Sequence, residues 1–265
     1  GLADSLKDTK GSLTAIKCDV SKEEDILNMF ENIKIVHGDV DVCVCNAGLS
    51  HNSPLLSGAT DQWRSMFDVN VIGLMTCSRE AYKSMKENGV DDGHIILMGS
   101  IAGHGIVPGH ESFNCYCATK FAVRAITEGM RNELYAAKTH ILVTKFVLVW
   151  RKLTFLIDIT TNPEAELRMM LTCDQITDSV IYALSASQRV QAIQDVVIAT
   201  AKLILYVDNI YQSIKKYNLS NYFQTITIIK EGQNLKKTIA RYASPFCATF
   251  EKKNIRQNAV YYAHV

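Results

Sequence analysis

Three tyrosines in the chain of 265 residues are each followed by a lysine four positions later: Tyr82 and Lys86, Tyr116 and Lys120, and Tyr211 and Lys215. On an α-helix, residues at this spacing lie on the same face, with their Cβ atoms about 5–6 Å apart. A free tyrosine has a pKa of about 10, and a nearby ammonium lowers it toward the range in which a phenol can act as general acid or base. More often, such a lysine lies along an exposed ring with its charged end in water. The spacing alone leaves both alternatives open.

The pair at Tyr116 has sequence neighbours that the other two pairs lack. The stretch "NAG" at 46–48 ends one apolar strand, and Ser100 in "GSIAG" ends the next. In a parallel sheet, ligands bind at the carboxyl ends of the strands. Asn70, in "DVNVIG", lies on the helix between these strands. Each feature alone is typical of a turn, a helix cap or a polar helix residue, but their order together indicates one site around Tyr116.

These residues must be positioned by secondary-structure elements, which the pattern of apolar residues predicts. Strands are predicted at 12–20, 39–48, 93–100, 140–150 and 194–199, and helices at 60–88, 112–138 and 172–186. A further helix is predicted directly after Ser21, with Ser21 as its N-cap, and Thr60 is the predicted N-cap of the next helix. Apolar strands that alternate with helices favour an α/β fold, a parallel sheet covered on both faces.

The composition excludes several other classes of protein. The net charge of +1 gives no indication of a nucleic acid or membrane partner. The eight cysteines include no CxxC pair and lie in apolar runs, which indicates reduced thiols in a cytoplasmic protein. Clustered metal ligands at finger-like spacing are absent, so no metal is expected. The longest apolar runs are too short or too interrupted to span a membrane.

Glycine content divides the chain. Thirteen of the 14 glycines lie at or before Gly129, and α/β folds use glycine in strand-to-helix turns. The last part of the chain is basic, with nine Lys or Arg against three Asp or Glu in residues 208–265. A nucleic-acid or membrane-binding tail is one interpretation. Because the charges are scattered and no recognition motif accompanies them, a poorly ordered extension over 200–265 is favoured.

The motifs as a set resemble those of the short-chain dehydrogenases/reductases, and within that family those of the farnesol dehydrogenases. The stretches that carry the resemblance are "CDV", "NAG", "DVNVIG", "GSIAGH", "YCATKFAV" and "TEGMRNEL", and it returns at "QITDSVIYALSASQRVQ". It implies a Rossmann-like doubly wound parallel sheet with helices on both faces, over residues 1–199. The implied activity is NADP(H)-dependent interconversion of alcohols and carbonyls by hydride transfer, on small apolar substrates of the farnesol or ketosteroid type.

The resemblance also implies a role for each catalytic residue. Tyr116 would be the general acid/base that protonates the carbonyl oxygen during reduction. Lys120 would lower the pKa of Tyr116 and bind the nicotinamide ribose. Ser100 would donate a hydrogen bond to the carbonyl oxygen, and Asn70 would anchor a water that passes protons to Lys120.

The cofactor contacts follow from the same resemblance. The backbone of Asn46, Ala47 and Gly48 would pass close to the cofactor, and Asp19 and Val20 would meet the adenine. NADP is the expected cofactor and NAD is possible, since the residues that distinguish them belong to a part of the fold that nothing before Gly11 can supply. The family commonly forms homodimers or larger oligomers through the helices predicted here at 60–88 and 112–138.

The chain departs from the family pattern at two places. The glycine-rich turn that cradles the pyrophosphate is missing, so we expect a fragment without the first β-α-β unit. After the strand that begins at 140, the family's Pro-Gly is replaced by "KFVLVWRKLTF". We therefore expect the 265-residue chain by itself not to turn over substrate. The alternative reading of the chain is a non-catalytic remnant that binds no cofactor.

Overall fold

The computed structural model of the chain describes residues 13–106, 109–148, 173–185, 195–198 and 227–229. Its strands are β1 (Val42–Cys45), β2 (His94–Ser100), β3 (Leu142–Leu148), β4 (Asp195–Ile198) and β5 (Thr227–Ile229). Its α-helices are α1 (Glu23–His37), α2 (Thr60–Phe67), α3 (Leu74–Glu87), α4 (Asn114–Ala136) and α5 (Cys173–Ser185). Strands and helices alternate as the sequence predicts.

The five strands form one parallel sheet in the order β1-β2-β3-β4-β5. Val42 of β1 pairs with His94 of β2, which pairs in turn with Leu142 of β3. Alternate residues of β2 face opposite sides of the sheet. Ile95 and Leu97 pack in one apolar cluster, to which α1, α3 and α4 also contribute. Ile96 and Met98 of the same strand pack with α5 on the other face. The predicted α/β sheet with helices on both sides is therefore confirmed.

The helix predicted at 60–88 contains an interruption that the sequence pattern does not reveal. Between α2 and α3 the backbone forms a π-helical segment, Asp68–Gly73. Such single π-helical turns inside α-helices often occur at functional sites. Here the segment contains Asn70, and a Cβ atom added to Gly73 would lie only 2.4 Å from Val20 O. Glycine at this position therefore lets the helix approach the chain at Val20.

Three predictions of local structure are wrong. Residues 13–19, within the strand predicted at 12–20, form no strand. β1 is the outermost strand of the described sheet on that side, so this segment has no strand beside it to pair with. Ser21 does not cap α1, because its Oγ donates a hydrogen bond to Asp19 Oδ1 instead. Thr60 is the first residue of α2 rather than its cap, which is Ala59.

The predicted extension at 200–265 supplies one strand of the sheet. Within it the structure describes only β5, which pairs in parallel with β4, Val196 lying opposite Thr227. The other residues of that range lie outside the described part of the chain. Among the described helices, none combines the length and the apolar character needed to cross a membrane.

The start of β2 carries a buried histidine whose protonation opposes folding. His94 is buried, and its Nε2 lies 2.8 Å from Thr144 Oγ1 on β3. Burial lowers the pKa of His94 from 6.5 to about 4. Between these pH values the unfolded chain binds a proton that the folded chain does not bind. Lowering the pH through this range therefore favours the unfolded state.

We expect the free energy of unfolding to fall by about 3 kcal/mol between pH 6.5 and pH 4, as measured by urea titration at a series of pH values. The variant His94→Gln keeps a neutral polar group and should flatten this dependence. An equally steep dependence in His94→Gln would contradict the assignment to His94.

Candidate active site

Lys120 is buried on the first turns of α4 and connects that helix to β2. Its side chain is 6% exposed, and its Nζ donates a hydrogen bond of 2.8 Å to Met98 O. The same Nζ lies 5.6 Å from the centroid of the Tyr116 ring. A buried ammonium must be satisfied by acceptors such as this carbonyl, since leaving it unpaired is costly. Lys120 is therefore a buried, hydrogen-bonded lysine beside a tyrosine, not a surface lysine lying along an exposed ring.

Asn70 connects the π-helical segment to two other parts of the site. Its Oδ1 accepts a hydrogen bond from Leu49 N, and its Nδ2 donates one to Leu49 O, both 2.8 Å long. Nδ2 also lies 3.1 Å from Thr119 Oγ1 on α4. These contacts hold the turn after β1 and the helix α4 at one fixed separation. The water relay that the resemblance implies for Asn70 stays a prediction.

Gly48 lies against both Asn70 and Lys120. A Cβ atom added at Gly48 would be 3.3 Å from Asn70 Oδ1 and 3.9 Å from Lys120 Nζ. The NAG turn thus meets the buried lysine at the carboxyl end of β1, where a ligand of a parallel sheet binds. Because glycine leaves the backbone uncovered, a cofactor can approach it closely. The residues present at this turn are therefore compatible with a bound dinucleotide cofactor.

Ser100 lies at the carboxyl end of β2, as predicted, and begins a short 3₁₀ turn, Ile101–Gly103. Its Oγ accepts a hydrogen bond of 3.2 Å from Ala102 N. The turn packs tightly on α4, because a Cβ atom added at Gly103 would lie 2.5 Å from Lys120 O. The structure thus brings the segment that carries Ser100 against the backbone of Lys120.

Tyr116 is buried in an apolar cluster beside this turn. The cluster includes Ala102 and Met66, with Leu49, Trp63 and Phe113 packed against it. The Phe113 and Tyr116 rings have centroids 4.5 Å apart. Burial and packing of this kind restrict the ring to one orientation. The phenol therefore belongs to an apolar environment in which an ammonium one turn away has a strong electrostatic effect.

Cys115, one of the two cysteines that flank Tyr116, has a thiol that burial makes less reactive. Burial raises the pKa of the Cys115 thiol. A raised pKa keeps the thiol protonated at neutral pH, whereas nucleophilic cysteines are thiolates. The described residues also contain no group of three or more side chains able to hold a metal ion.

The residues predicted to meet adenine, Asp19 and Val20, lie just before α1. The carboxylate of Asp19 accepts hydrogen bonds from Ser21 Oγ and Ser21 N and pairs with Lys22. These hydrogen bonds, the one from the Ser21 hydroxyl first, hold the pKa of Asp19 below its ordinary value. Val20 is buried and packs in a cluster against which Ala47 also lies. The remaining residue of the predicted set, Asn46, donates its backbone N–H to Val44 O.

Of the two tyrosine–lysine pairs within the described residues, the one at Tyr116 lies beside the Gly48 turn. Tyr82 packs on the main core beneath α3, in a different apolar cluster from Tyr116. Tyr211 and Lys215 lie outside the described residues.

Two residues of the site were missed by the sequence analysis. The first is Thr119. A threonine three positions after Tyr116 can donate a hydrogen bond to the Tyr116 carbonyl, and Thr119 Oγ1 does so at 2.7 Å. That spacing was the signal in the sequence. Gly103 is the other. The glycine that closes "GSIAG" was the available signal for a close backbone approach.

Known proteins resemble this chain over much of its length. A family model described as short chain dehydrogenase matches residues 1–148. The chain is 48% identical over 187 residues to dehydrogenase/reductase SDR family member 11 of Gallus gallus, covering 68% of this chain and 73% of that protein. It is 41% identical over 186 residues to the farnesol dehydrogenase of Aedes aegypti, covering 69% and 73%. An alcohol dehydrogenase of Thermococcus sibiricus, solved with 5-hydroxy-NADP, aligns with a TM-score of 0.64 at 21% identity, covering 75% and 79%.

The fold and the relatives together define an oxidoreductase built on a doubly wound parallel sheet. The chain belongs to the short-chain dehydrogenase/reductase family. The family resemblance seen in its sequence motifs is thereby confirmed.

The tight contact between Gly103 and Lys120 gives a test of how the site is assembled. In Gly103→Ala the new methyl group would clash with the Lys120 backbone, since 2.5 Å and 2.9 Å separate that Cβ from Lys120 O and C. We expect a loss of about 1–3 kcal/mol in the free energy of unfolding, measured with urea. The control is Gly105→Ala, because no described atom lies within 4 Å of its added Cβ. Equal stabilities of the two variants would contradict the packing described.

Proposed function

We propose that the protein is an NADP(H)-dependent oxidoreductase that interconverts small apolar alcohols and carbonyl compounds. The observation that carries the proposal is the buried Lys120 ammonium, which lies beside the Tyr116 ring and within reach of the Gly48 turn. A buried charge at this position that had no function would only lower the stability of the fold. The same reason disfavours the alternative of a non-catalytic remnant, and no described contact favours that alternative.

Tyr116 is the proposed proton donor in carbonyl reduction and the proton acceptor in alcohol oxidation. During reduction its hydroxyl proton passes to the carbonyl oxygen, while a hydride arrives at the carbonyl carbon, so that an alcohol forms. The resulting phenolate is stabilised by the Lys120 ammonium one helical turn away. Ser100 donates a hydrogen bond to the same oxygen and polarises the carbonyl.

A nicotinamide dinucleotide, when bound, supplies or accepts the hydride in this reaction. Lys120 and the backbone of Asn46, Ala47 and Gly48 are the proposed contacts of its nicotinamide end. Asp19 and Val20 are the proposed contacts of its adenine end. The choice of NADP over NAD follows the family resemblance of the sequence, and the solved alcohol dehydrogenase that aligns with this chain holds an NADP derivative.

The apolar side chains around Tyr116 support the substrate class that we propose. Leu49, Trp63 and Phe113 pack against the cluster that contains it. Such a lining favours hydrocarbon groups next to the reacting oxygen. The name of the Aedes aegypti relative, farnesol dehydrogenase, agrees with a substrate of this kind. Farnesol and small ketosteroids are accordingly the compounds proposed for the first assays.

The compartment proposed is the cytoplasm. The described residues include seven cysteines, all of them unbridged. Reduced thiols in this number are typical of a reducing compartment.

The test of the proposed function is the substitution Tyr116→Phe, which removes only the hydroxyl. Two proteins are prepared, this chain and the same chain preceded by the family's first β-α-β unit. Each is assayed for NADPH binding and for farnesol oxidation with NADP⁺. In whichever of the two proteins oxidises farnesol, Tyr116→Phe should lower kcat by about 100-fold or more, because general acid–base catalysis is lost.

The matched control is Tyr82→Phe, which removes the same atom from the rival tyrosine and should leave kcat unchanged. Activity that survives Tyr116→Phe would refute the assignment of the proton donor. Binding of NADPH with equal affinity by both proteins would show that the added unit is not needed to hold the pyrophosphate.

A homodimer or larger oligomer is also proposed, formed by the helices around the π-helical segment and by α4. Large apolar side chains on these elements are exposed: Phe67 37%, Ile72 49%, Met75 38% and Phe121 39%. Exposed apolar surface on adjacent helices is typical of an interface. In a two-fold dimer the same patch packs against its own copy.

We expect Ile72→Asp combined with Phe121→Asp to shift the protein toward monomer in sedimentation velocity, because two charges would be buried without partners. The measurement uses the chain preceded by the first β-α-β unit. Leu56→Asp, at a fully exposed leucine elsewhere, should have no effect. A protein that sediments as a monomer before any substitution would refute the proposed interface.

A further inference from the structure

The threonine between the two predicted catalytic residues is hydrogen-bonded on both sides. Thr119 is 0% exposed, and its Oγ1 donates a hydrogen bond of 2.7 Å to Tyr116 O. The same oxygen accepts a hydrogen bond of 3.1 Å from Asn70 Nδ2. One hydroxyl group therefore joins the first turn of α4 to the π-helical segment, which is distant in sequence.

The hydrogen bond from Thr119 to Tyr116 O is ordinary for a threonine in a helix, whereas the one from Asn70 to Thr119 is not. Threonines inside helices commonly donate to a carbonyl three or four residues earlier. Thr127, on the same helix, does only this among its described contacts, with Val123 O at 2.7 Å. Thr119 differs because its oxygen also receives an N–H of Asn70.

Asn70 depends on this contact for its orientation. The Asn70 amide has two N–H donors, one on Leu49 O and the other on Thr119 Oγ1. Asn70 is 1% exposed, so bulk solvent does not reach its amide to replace a lost partner. Without the threonine hydroxyl, one N–H would be left unsatisfied in the interior, and buried donors are rarely left so. The amide would then turn, and its bonds to Leu49 would weaken.

We propose that Thr119 is a positioning residue that sets the distance between the Tyr116–Lys120 turn and the Gly48 turn, acting through Asn70 and Leu49. This inference rests on the proposed function, because its effect is on the proton and hydride transfer assigned to that site. The chain of contacts is continuous. It runs from Tyr116 O to Thr119 Oγ1, from there to Asn70 Nδ2, and from the Asn70 amide to the backbone of Leu49, the residue after Gly48.

The expected consequence is a loss of rate rather than of substrate binding. Thr119 Oγ1 contacts the Tyr116 carbonyl and the Asn70 amide and reaches the backbone of Leu49 only through Asn70, so we expect a larger change in kcat than in KM. A displacement of about 1 Å between reacting groups can lower a rate by about 100-fold. We therefore expect kcat to fall by at least about 10-fold when the hydroxyl is removed.

The experiment compares Thr119→Ala with Thr119→Ser, two variants that differ only in the hydroxyl. Thr119→Val is added, because it keeps the shape of the side chain. The control is Thr127→Val, which removes a buried helical hydrogen bond of the same length on the same helix. All are made in the protein that is active with farnesol and NADP⁺, and kcat, KM and the midpoint of urea unfolding are measured for each.

The proposal expects low kcat in Thr119→Ala and Thr119→Val, near-normal kcat in Thr119→Ser, and near-normal kcat in Thr127→Val. It is overturned if Thr119→Ala and Thr119→Ser have the same kcat, or if Thr127→Val loses as much. If Thr119→Val does not fold, the Ala and Ser pair alone decides. Tyr116→Phe in the same assay separates the two claims. Full activity in that variant refutes the proposed function and this inference together. An inactive Tyr116→Phe beside an active Thr119→Ala refutes only the inference.

Discussion

The buried ammonium of Lys120 is the interaction on which the geometry of the candidate site depends. A charge in the interior needs acceptors at short range, and Lys120 Nζ reaches the carbonyl of Met98 on β2. This requirement brings the first turn of α4 against the end of β2, where only a glycine at position 103 leaves room for the Lys120 backbone. The position of Tyr116, one turn earlier on the same helix, follows from these contacts.

The parallel sheet explains why residues far apart in sequence meet at this lysine. All described strands run in one direction, so their carboxyl ends share one edge, where ligands bind. The turn at Gly48 follows β1 and Ser100 ends β2, so both lie at that edge. The π-helical segment then places the Asn70 amide between the β1 turn and α4. Each contact is short and specific, which suits a site that must hold reacting groups at fixed distances.

Much of this could be predicted from sequence. The predicted strands at 39–48, 93–100 and 140–150 each contain a strand of the sheet, because apolar runs between glycine turns are a strong signal. The strand predicted at 12–20 is wrong, because an apolar pattern does not say whether a partner strand is adjacent. The π-helical segment could not be predicted from the pattern of apolar residues either. Its apolar residues keep a helical period, and only the backbone shows the extra residue in the turn.

The most direct test of this account is a crystal structure of the protein with NADP⁺ and a small alcohol. It would measure the distances from the alcohol oxygen to Tyr116 Oη and to Ser100 Oγ. The account predicts that one oxygen lies within about 2.6–3.2 Å of both hydroxyl groups, with Lys120 next to Tyr116. Two hydroxyl groups too far apart to contact the same oxygen would contradict the claim that these residues form one catalytic site.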